Sequence, residues 1–417
     1  MVEWPRPKFE DVVTPMKHLA NLPVNIIAGC ALADLQYKAI QPYAPEAISF
    51  LTEWSKRLLA RQDIRTYPDV ASFAYWCRPA NLARLRRELG CEQLRLGRGI
   101  ALHIAPTNVP VNFAYSFAFG LLAGNANIVR VPDSLPAQAN VISEVVKDLL
   151  THSEHGLISS MTSLISYPRD DAITQQLSEV ADVRLRWGGD NTILQLRHMS
   201  SSPRCVDIAF ADRYSLCLIS APAVLAAENS ALWALTVGFH NDVFLLDQNA
   251  CSSPHLILWQ GTMLEVAAAQ KRFWDALQEL MDSKVRSPGI HAVEKYIHLC
   301  RTGIQINGVK RLTTSDNRVF RVAMDELPEN IADYRGRYGF FFETIDNDLT
   351  QLRRIVSKRY QTLTCFGVDP NALAQTLVAN GLSGIDRVVS VGNALNIGVI
   401  WDGFDLIRTM SRIVATQ

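Results

Sequence analysis

The chain reads as an α/β protein with two halves, each built on a mostly parallel sheet, behind an N-terminal helical region. Three observations carry that reading. Short apolar runs alternate with helical patterns from about residue 97 onward, at the spacing of βαβ units. The alternation restarts after Arg204. The 417 residues also exceed one ordinary domain, since about 100–200 residues make a domain. The expected boundaries are a helical region over 1–95, a first sheet domain over 96–213, a second over 214–385, and a C-terminal segment, 386–417, returning to the first.

The elements follow in order. Residues 48–59 and 82–89 carry apolar side chains at three-to-four spacing, with Arg and Lys between them. Gly99-Ile-Ala-Leu-His-Ile-Ala105 is strand-like and is broken by Pro106-Thr-Asn-Val-Pro110. Residues 111–124 form an apolar helix of small residues that stops at Gly-Asn. Strands are expected at 127–131, 163–167 and 183–187, with helices between them, and Gly188-Gly-Asp190 turns the chain into a short helix. In the second half, strands are expected at 205–210, 215–220, 255–259, 338–345, 362–368 and 387–391. Helices are expected at 222–237, 264–281, 372–379 and 404–414.

Composition narrows the classes of function. Hydrophobic residues make up 48% and charged residues 20%, as in ordinary globular chains. Lys plus Arg equals Asp plus Glu at 41 each, and no polybasic run occurs, which argues against nucleic-acid binding or an anionic membrane surface. The longest apolar stretch, near 113–123, falls far short of the roughly 20 residues of a membrane span. The N-terminus shows no leader pattern. The eight cysteines are scattered without a Cys-x-x-Cys pair, and no Cys/His grouping has metal-ligand spacing, so no metal is expected.

Three segments have residue types suited to chemistry. In Asp247-Gln-Asn-Ala-Cys251-Ser-Ser-Pro254 an apolar run gives way to polar residues, a thiol and small neighbours. A thiol in such a turn, near backbone N–H donors, can act as a thiolate nucleophile; an inert buried thiol is the alternative. Asn108, at a strand exit between prolines, can donate to an oxyanion or simply make a turn. Gly188, Gly189 and Asp190 open a helix whose free N–H groups suit phosphate, although no Gly-x-Gly-x-x-Gly occurs.

In this order and spacing the segments resemble the aldehyde dehydrogenase superfamily, and within it the LuxC-like acyl-CoA reductase family of bacterial fatty-acid reductases. The resemblance runs from about residue 97 to the end. It rests on Pro106-Thr-Asn-Val-Pro110, Asn125-Ala-Asn-Ile-Val-Arg130-Val-Pro, Trp187-Gly-Gly-Asp190, Ala250-Cys-Ser-Ser-Pro254, Arg359-Tyr-Gln-Thr362, Gly392-Asn-Ala-Leu395 and Trp401-Asp-Gly403. It implies an aldehyde-dehydrogenase-like fold with two Rossmann-like domains, the first for the cofactor and the second for catalysis. It further implies NADPH-dependent reduction of an acyl thioester to the aldehyde through an acyl-Cys intermediate. Cys251 would be the nucleophile and Asn108 the oxyanion donor. Arg130, Gly188, Gly189, Asp190 and Glu343 would contact the cofactor. The donor would be acyl-CoA or an acylated partner protein served by an acyl-protein synthetase, and the enzyme a cytoplasmic homo-oligomer.

One departure bears on mechanism. Aldehyde-oxidising members place a water-activating Glu before the Cys. The corresponding stretch here, Ala209-Phe-Ala-Asp-Arg213, has none, and Asp212 does not match in position. A reductase must keep water from its acyl-enzyme, so a missing base suits reduction. The competing readings are an NAD(P)-dependent aldehyde dehydrogenase and a non-catalytic subunit on the same fold.

Overall fold

The structure, a computed structural model, describes residues 16–90, 93–106, 109–132, 136–284, 288–312, 314 and 316–416. It divides into two compact units, one within Met1–Ala211 and Phe404–Gln417, the other Asp212–Gly403.

The first unit is built on a six-stranded sheet. Its strands are β1 (Asn25–Gly29), β2 (Ile100–Ile104), β3 (Ala126–Arg130), β4 (Thr162–Ser166), β5 (Val183–Trp187) and β6 (Val206–Phe210). They are ordered β1-β4-β3-β2-β5-β6. β1 runs antiparallel to β4, and the other neighbours are parallel. From β2 the chain winds outward to β3 and β4, then returns to the other side of β2 with β5. That reversal creates a switch point beyond the carboxyl ends of β2 and β5, where open α/β sheets leave a crevice.

A buried polar network beneath this point fixes its floor. His103 shares its ring nitrogens with Ser116 Oγ (2.8 Å) and Asn127 Oδ1 (3.0 Å), and Trp187 Nε1 donates to the same Ser116 Oγ (3.2 Å). Burial holds His103 neutral, its pKa lowered to about 4. The helix Asn112–Leu122 carries Ser116 and is buried at every residue. A Cβ at Gly120 would lie 1.9 Å from Asn127 Oδ1, which explains the small residue there.

The second unit contains a seven-stranded sheet. Its strands are β7 (Tyr214–Ser220), β8 (Pro254–Gln260), β9 (Lys310–Leu312), β10 (Phe320–Ala323), β11 (Phe340–Ile345), β12 (Tyr360–Phe366) and β13 (Arg387–Ser390). The order is β9-β10-β11-β8-β7-β12-β13, with only the edge strand β9 antiparallel among the described pairs. Both faces are buried, which is why the central strands read as nearly continuous apolar runs. Leu216, Leu218, Leu256, Leu258 and Phe342 fill one face. Cys217, Ile219, Ile257, Trp259 and Phe341 fill the other, under the helix Met263–Asp282.

Several local expectations change. The N-terminal region read as helical also contains β1, a largely exposed edge strand with no apolar alternation. Residues 404–414 are not one helix. A short helix, Leu406–Met410, leads into Ser411–Ile413, which pairs antiparallel with Arg95–Gly97. The helix expected over 222–237 is two, Ala221–Ala226 and Asn229–Phe244.

Candidate active site

The turn carrying Cys251 lies between the helix Asn229–Phe244 and β8, at the amino ends of the second unit's strands. It is braced from within by Gln248, which is only 1% exposed. The amide oxygen accepts from the N–H groups of Gly339 (2.9 Å) and Phe340 (3.1 Å). The amide nitrogen donates to the carbonyls of Pro254 (2.9 Å) and Phe340 (3.1 Å). Asp247 and Gln248 both adopt left-handed backbone, φ 50° and 60°, a conformation costly for side-chain-bearing residues and kept only where the surroundings impose it. Ser253 Oγ donates to the Asp242 carbonyl (2.6 Å), and Ser215 Oγ donates to the Cys251 carbonyl (2.7 Å). Gln248→Ala would remove four hydrogen bonds to buried main-chain groups. At ~1–3 kcal/mol for each unsatisfied group, the full chain should lose ~3 kcal/mol or more of unfolding free energy in denaturant titration. A loss under ~1 kcal/mol would show that the brace is dispensable.

The thiol is held by the amide of Gln361, in β12. Gln361 Nε2 donates to Cys251 Sγ at 3.6 Å and also to Asp402 Oδ1. Asp402 is paired through Oδ2 with Arg213 Nε (3.3 Å). The thiol's pKa is pushed up to about 11, chiefly by burial and then by the Asp402 carboxylate. The Gln361 N–H, the residue's own backbone N–H and Arg335 pull it down. The resting form at neutral pH is therefore the thiol, not the thiolate that the polar turn suggested. Removing the nearby anion removes a cause of the upward shift. Asp402→Asn should therefore lower the pH midpoint of Cys251 alkylation by iodoacetamide, by ~1 unit. An unchanged or higher midpoint would show that Asp402 does not act on the thiol.

The two C-terminal motifs support this arrangement. Asp242 accepts from the N–H groups of Gly392 (2.6 Å) and Ala394 (2.8 Å). Gly238 and Gly392 are in such close contact that a Cβ on Gly392 would lie 3.0 Å from Gly238 Cα. Arg387 donates to the carbonyls of Ala394 (2.7 Å) and Asn396 (2.9 Å) and lies over the Trp401 ring. Gln361, Asp402 and Asp242 are functional candidates without a role in the reading of the sequence alone. Gln361 and Asp402 stand inside motifs quoted above, so position was visible but contact was not.

The cofactor candidates of the first unit gather at its switch point. Arg130 ends β3. Its Nη2 donates to the Tyr167 carbonyl (3.2 Å), its guanidinium lies over the Tyr167 ring, and its buried Nε has no partner. Gly188 follows β5, and Gly189 caps the helix Asp190–Arg197. A Cβ on Gly189 would meet open space, while one on Gly188 would press on Thr192 at 3.2 Å. The helix N-terminus is thus open at Gly189. Asp190, an anion in the first turn, already complements the helix dipole and would compete with a phosphate placed there.

Other expectations fare differently. Glu343, in β11, is 1% exposed. Its carboxylate is bonded to Arg321 Nε and Nη2, Trp259 Nε1 and Gln270 Nε2. Both oxygens are committed inside the fold, so the implied ribose contact is not what this geometry offers. Asp212 is paired with Arg335 (3.0 Å) and lies 4.0 Å from Arg359, which lowers its worth as a water-activating base. Asn108 lies outside the described residues. Among the described residues no group of three or more His, Cys, Asp or Glu could hold a metal, and no helix is long and apolar enough to cross a membrane.

Comparison with known proteins settles the family. The profile described as "Acyl-CoA reductase (LuxC)" matches residues 33–413. The chain belongs to this family. A long-chain acyl-protein thioester reductase of Aliivibrio fischeri is 24% identical over 329 residues, covering 77% of this chain and 64% of the relative. Another, of Photobacterium leiognathi, is 24% identical over 193 residues, covering 46% of this chain and 37% of the relative. The chain thus spans under two thirds of these relatives' lengths. Among solved structures, a benzaldehyde dehydrogenase of Corynebacterium glutamicum superposes with TM-score 0.59 at 12% identity, covering 89% of this chain and 85% of that one. A proline utilization A protein of Bradyrhizobium japonicum gives TM-score 0.62 at 13% identity, covering 89% and 42%. The LuxC family member therefore has the aldehyde-dehydrogenase-like α/β fold.

Proposed function

We propose that this LuxC family member reduces an acyl thioester to the aldehyde through an acyl-Cys251 intermediate, with NADPH as cofactor. The observation that carries the proposal is the Cys251 turn. A thiol is held by Gln361 on a loop braced by Gln248, and the carboxylate near it, Asp402, is tied to Arg213 and the Gln361 amide. The names of the relatives support an acyl thioester as substrate.

In the reaction, Cys251 Sγ gives up its proton and attacks the thioester carbonyl carbon. The new S–C bond replaces the donor's, and the departing thiolate takes the proton. Asn108 and the Cys251 N–H would hold the carbonyl oxygen as charge develops. The Gln361 amide keeps Sγ in place. A bound reduced nicotinamide would supply hydride to the acyl carbon. The residues suited to holding it are Arg130, Gly188 and Gly189, while the Asp190 carboxylate does not fit a phosphate there. Once the aldehyde departs, Sγ is reprotonated. With the Asp402 carboxylate committed to Arg213 and Gln361 rather than to water, the intermediate persists until it is reduced. The donor is acyl-CoA or an acylated protein. The described cysteines are free thiols, in keeping with a cytoplasmic enzyme.

Loss of reduced-nicotinamide absorbance that requires acyl-CoA supports this reading. Gain from aldehyde and NAD without CoA would contradict it. Gly189→Val should fill the space at the helix N-terminus, weakening NADPH binding while leaving acylation of Cys251 intact. Arg130→Ala should weaken NADPH more than NADH, because only NADPH carries the 2′-phosphate. Fluorescence titration of both nucleotides checks each variant. Normal NADPH affinity in Gly189→Val would misplace the site, and equal weakening in Arg130→Ala would remove the selective role.

A further inference from the structure

The second unit holds a cavity of about 380 Å³ between the helix Gly289–Gln305 and the segment 335–338. That size falls in the range of small-molecule sites. Its wall is cationic. Lys295, Arg301, Arg335 and Arg337 line it, with His298, against the single carboxylate of Glu294. Lys295 is 2% exposed, and its Nζ donates to the carbonyls of Arg318 (2.8 Å) and Tyr338 (2.7 Å), so it fixes the wall from within. Arg335 is anchored by Asp212 (3.0 Å) and the Arg213 carbonyl (2.8 Å). Arg301 and Arg337 are exposed at the cavity. Tyr338 has left-handed backbone, φ 62°, and stacks on His291 with ring centres 3.8 Å apart. A concave surface lined mainly by one sign of charge concentrates ligands of the opposite sign, and guanidinium groups suit phosphate oxygens.

The cavity is continuous with the nucleophile's support. Tyr338 N–H donates to the Asp247 carbonyl (3.2 Å), and the next residues, Gly339 and Phe340, are those that Gln248 binds. Arg335 lines the cavity and its charge reaches the Cys251 thiol. We propose that this cavity seats the phosphate-bearing nucleotide end of an acyl-CoA donor. The proposal rests on the thioester-reductase reading and extends it by naming the donor: a thioester carried on a protein side chain without phosphate has no use for such a wall.

The test is the double variant Arg301→Ala/Arg337→Ala of the full chain, with both changes at exposed side chains. Acylation of Cys251 is followed by mass with acyl-CoA and with the matching acyl N-acetylcysteamine thioester, which lacks phosphate. The apparent KM for acyl-CoA should rise ~10-fold or more, and the rate with the phosphate-free thioester should not change. Adenosine 3′,5′-bisphosphate, titrated calorimetrically, should bind the parent chain and lose ~10-fold or more in affinity in the variant. Equal acyl-CoA kinetics in both proteins would overturn the cavity assignment and leave the reductase reading standing. If neither thioester acylates Cys251, the reductase reading falls, and the bisphosphate titration still decides the cavity. Absent or variant-insensitive bisphosphate binding overturns it, as does inorganic phosphate binding equally tightly.

Discussion

Cys251→Ala should abolish both acylation and reduction, with the fold and nucleotide binding retained. The side chain is small, half-buried and bonded only weakly, through Gln361 Nε2 at 3.6 Å, so its loss removes the nucleophile with little structural cost. No other described thiol has a comparable setting. Cys217 lies inside β7 with its pKa far raised by burial, and Cys77 is buried likewise. Intact-mass measurement after incubation with acyl-CoA, without nicotinamide, checks the variant. A retained acyl adduct would mean that another residue takes the acyl group.

Asn108→Ala is the second large effect. Losing one oxyanion donor ordinarily costs about 10²–10³ in kcat, and nucleotide affinity should be nearly unchanged because the amide acts on the carbonyl oxygen. The basis is the Pro106-Thr-Asn-Val-Pro110 sequence, which follows β2 in the chain. Single-turnover reduction rates compared with NADPH titrations separate the two quantities. Full activity in a folded variant would return Asn108 to a turn-forming role.

Much of the architecture was legible because central parallel strands are buried on both faces. Ile100–Ile104, Tyr214–Ser220 and Pro254–Gln260 therefore stand out as mostly apolar runs between turn residues. Several of the elements missed are those whose pattern points outward, although the short buried strand Phe320–Ala323 was missed as well. Lys310–Leu312 is an exposed edge strand. The helix Gly289–Gln305 exposes Ile290, Val293, Ile297 and Ile304 while burying Lys295, the reverse of an amphipathic core helix. Ser411–Ile413 looked helical by continuation, and only its distant partner, Arg95–Gly97, makes it a strand.

The same distinction holds at the site. The thiol and its polar neighbours were visible locally. Gln361 and Asp402 become part of the site only because β12 and the 401–403 turn meet the Cys251 loop in the folded unit. The thiol's upward pKa shift depends on that meeting too, and the commitment of the Glu343 carboxylate to Arg321, Trp259 and Gln270 is likewise visible only in the fold.

The central claim is that acyl transfer to Cys251 precedes reduction. Peptide mass spectrometry of the full chain after incubation with acyl-CoA, before and after NADPH is added, tests it most directly. The account predicts an acyl mass on the peptide bearing Cys251, stable in water without nucleotide and lost with release of aldehyde when NADPH is added. An unmodified Cys251 under conditions where aldehyde forms, or an adduct that leaves as free acid without nucleotide, would contradict it.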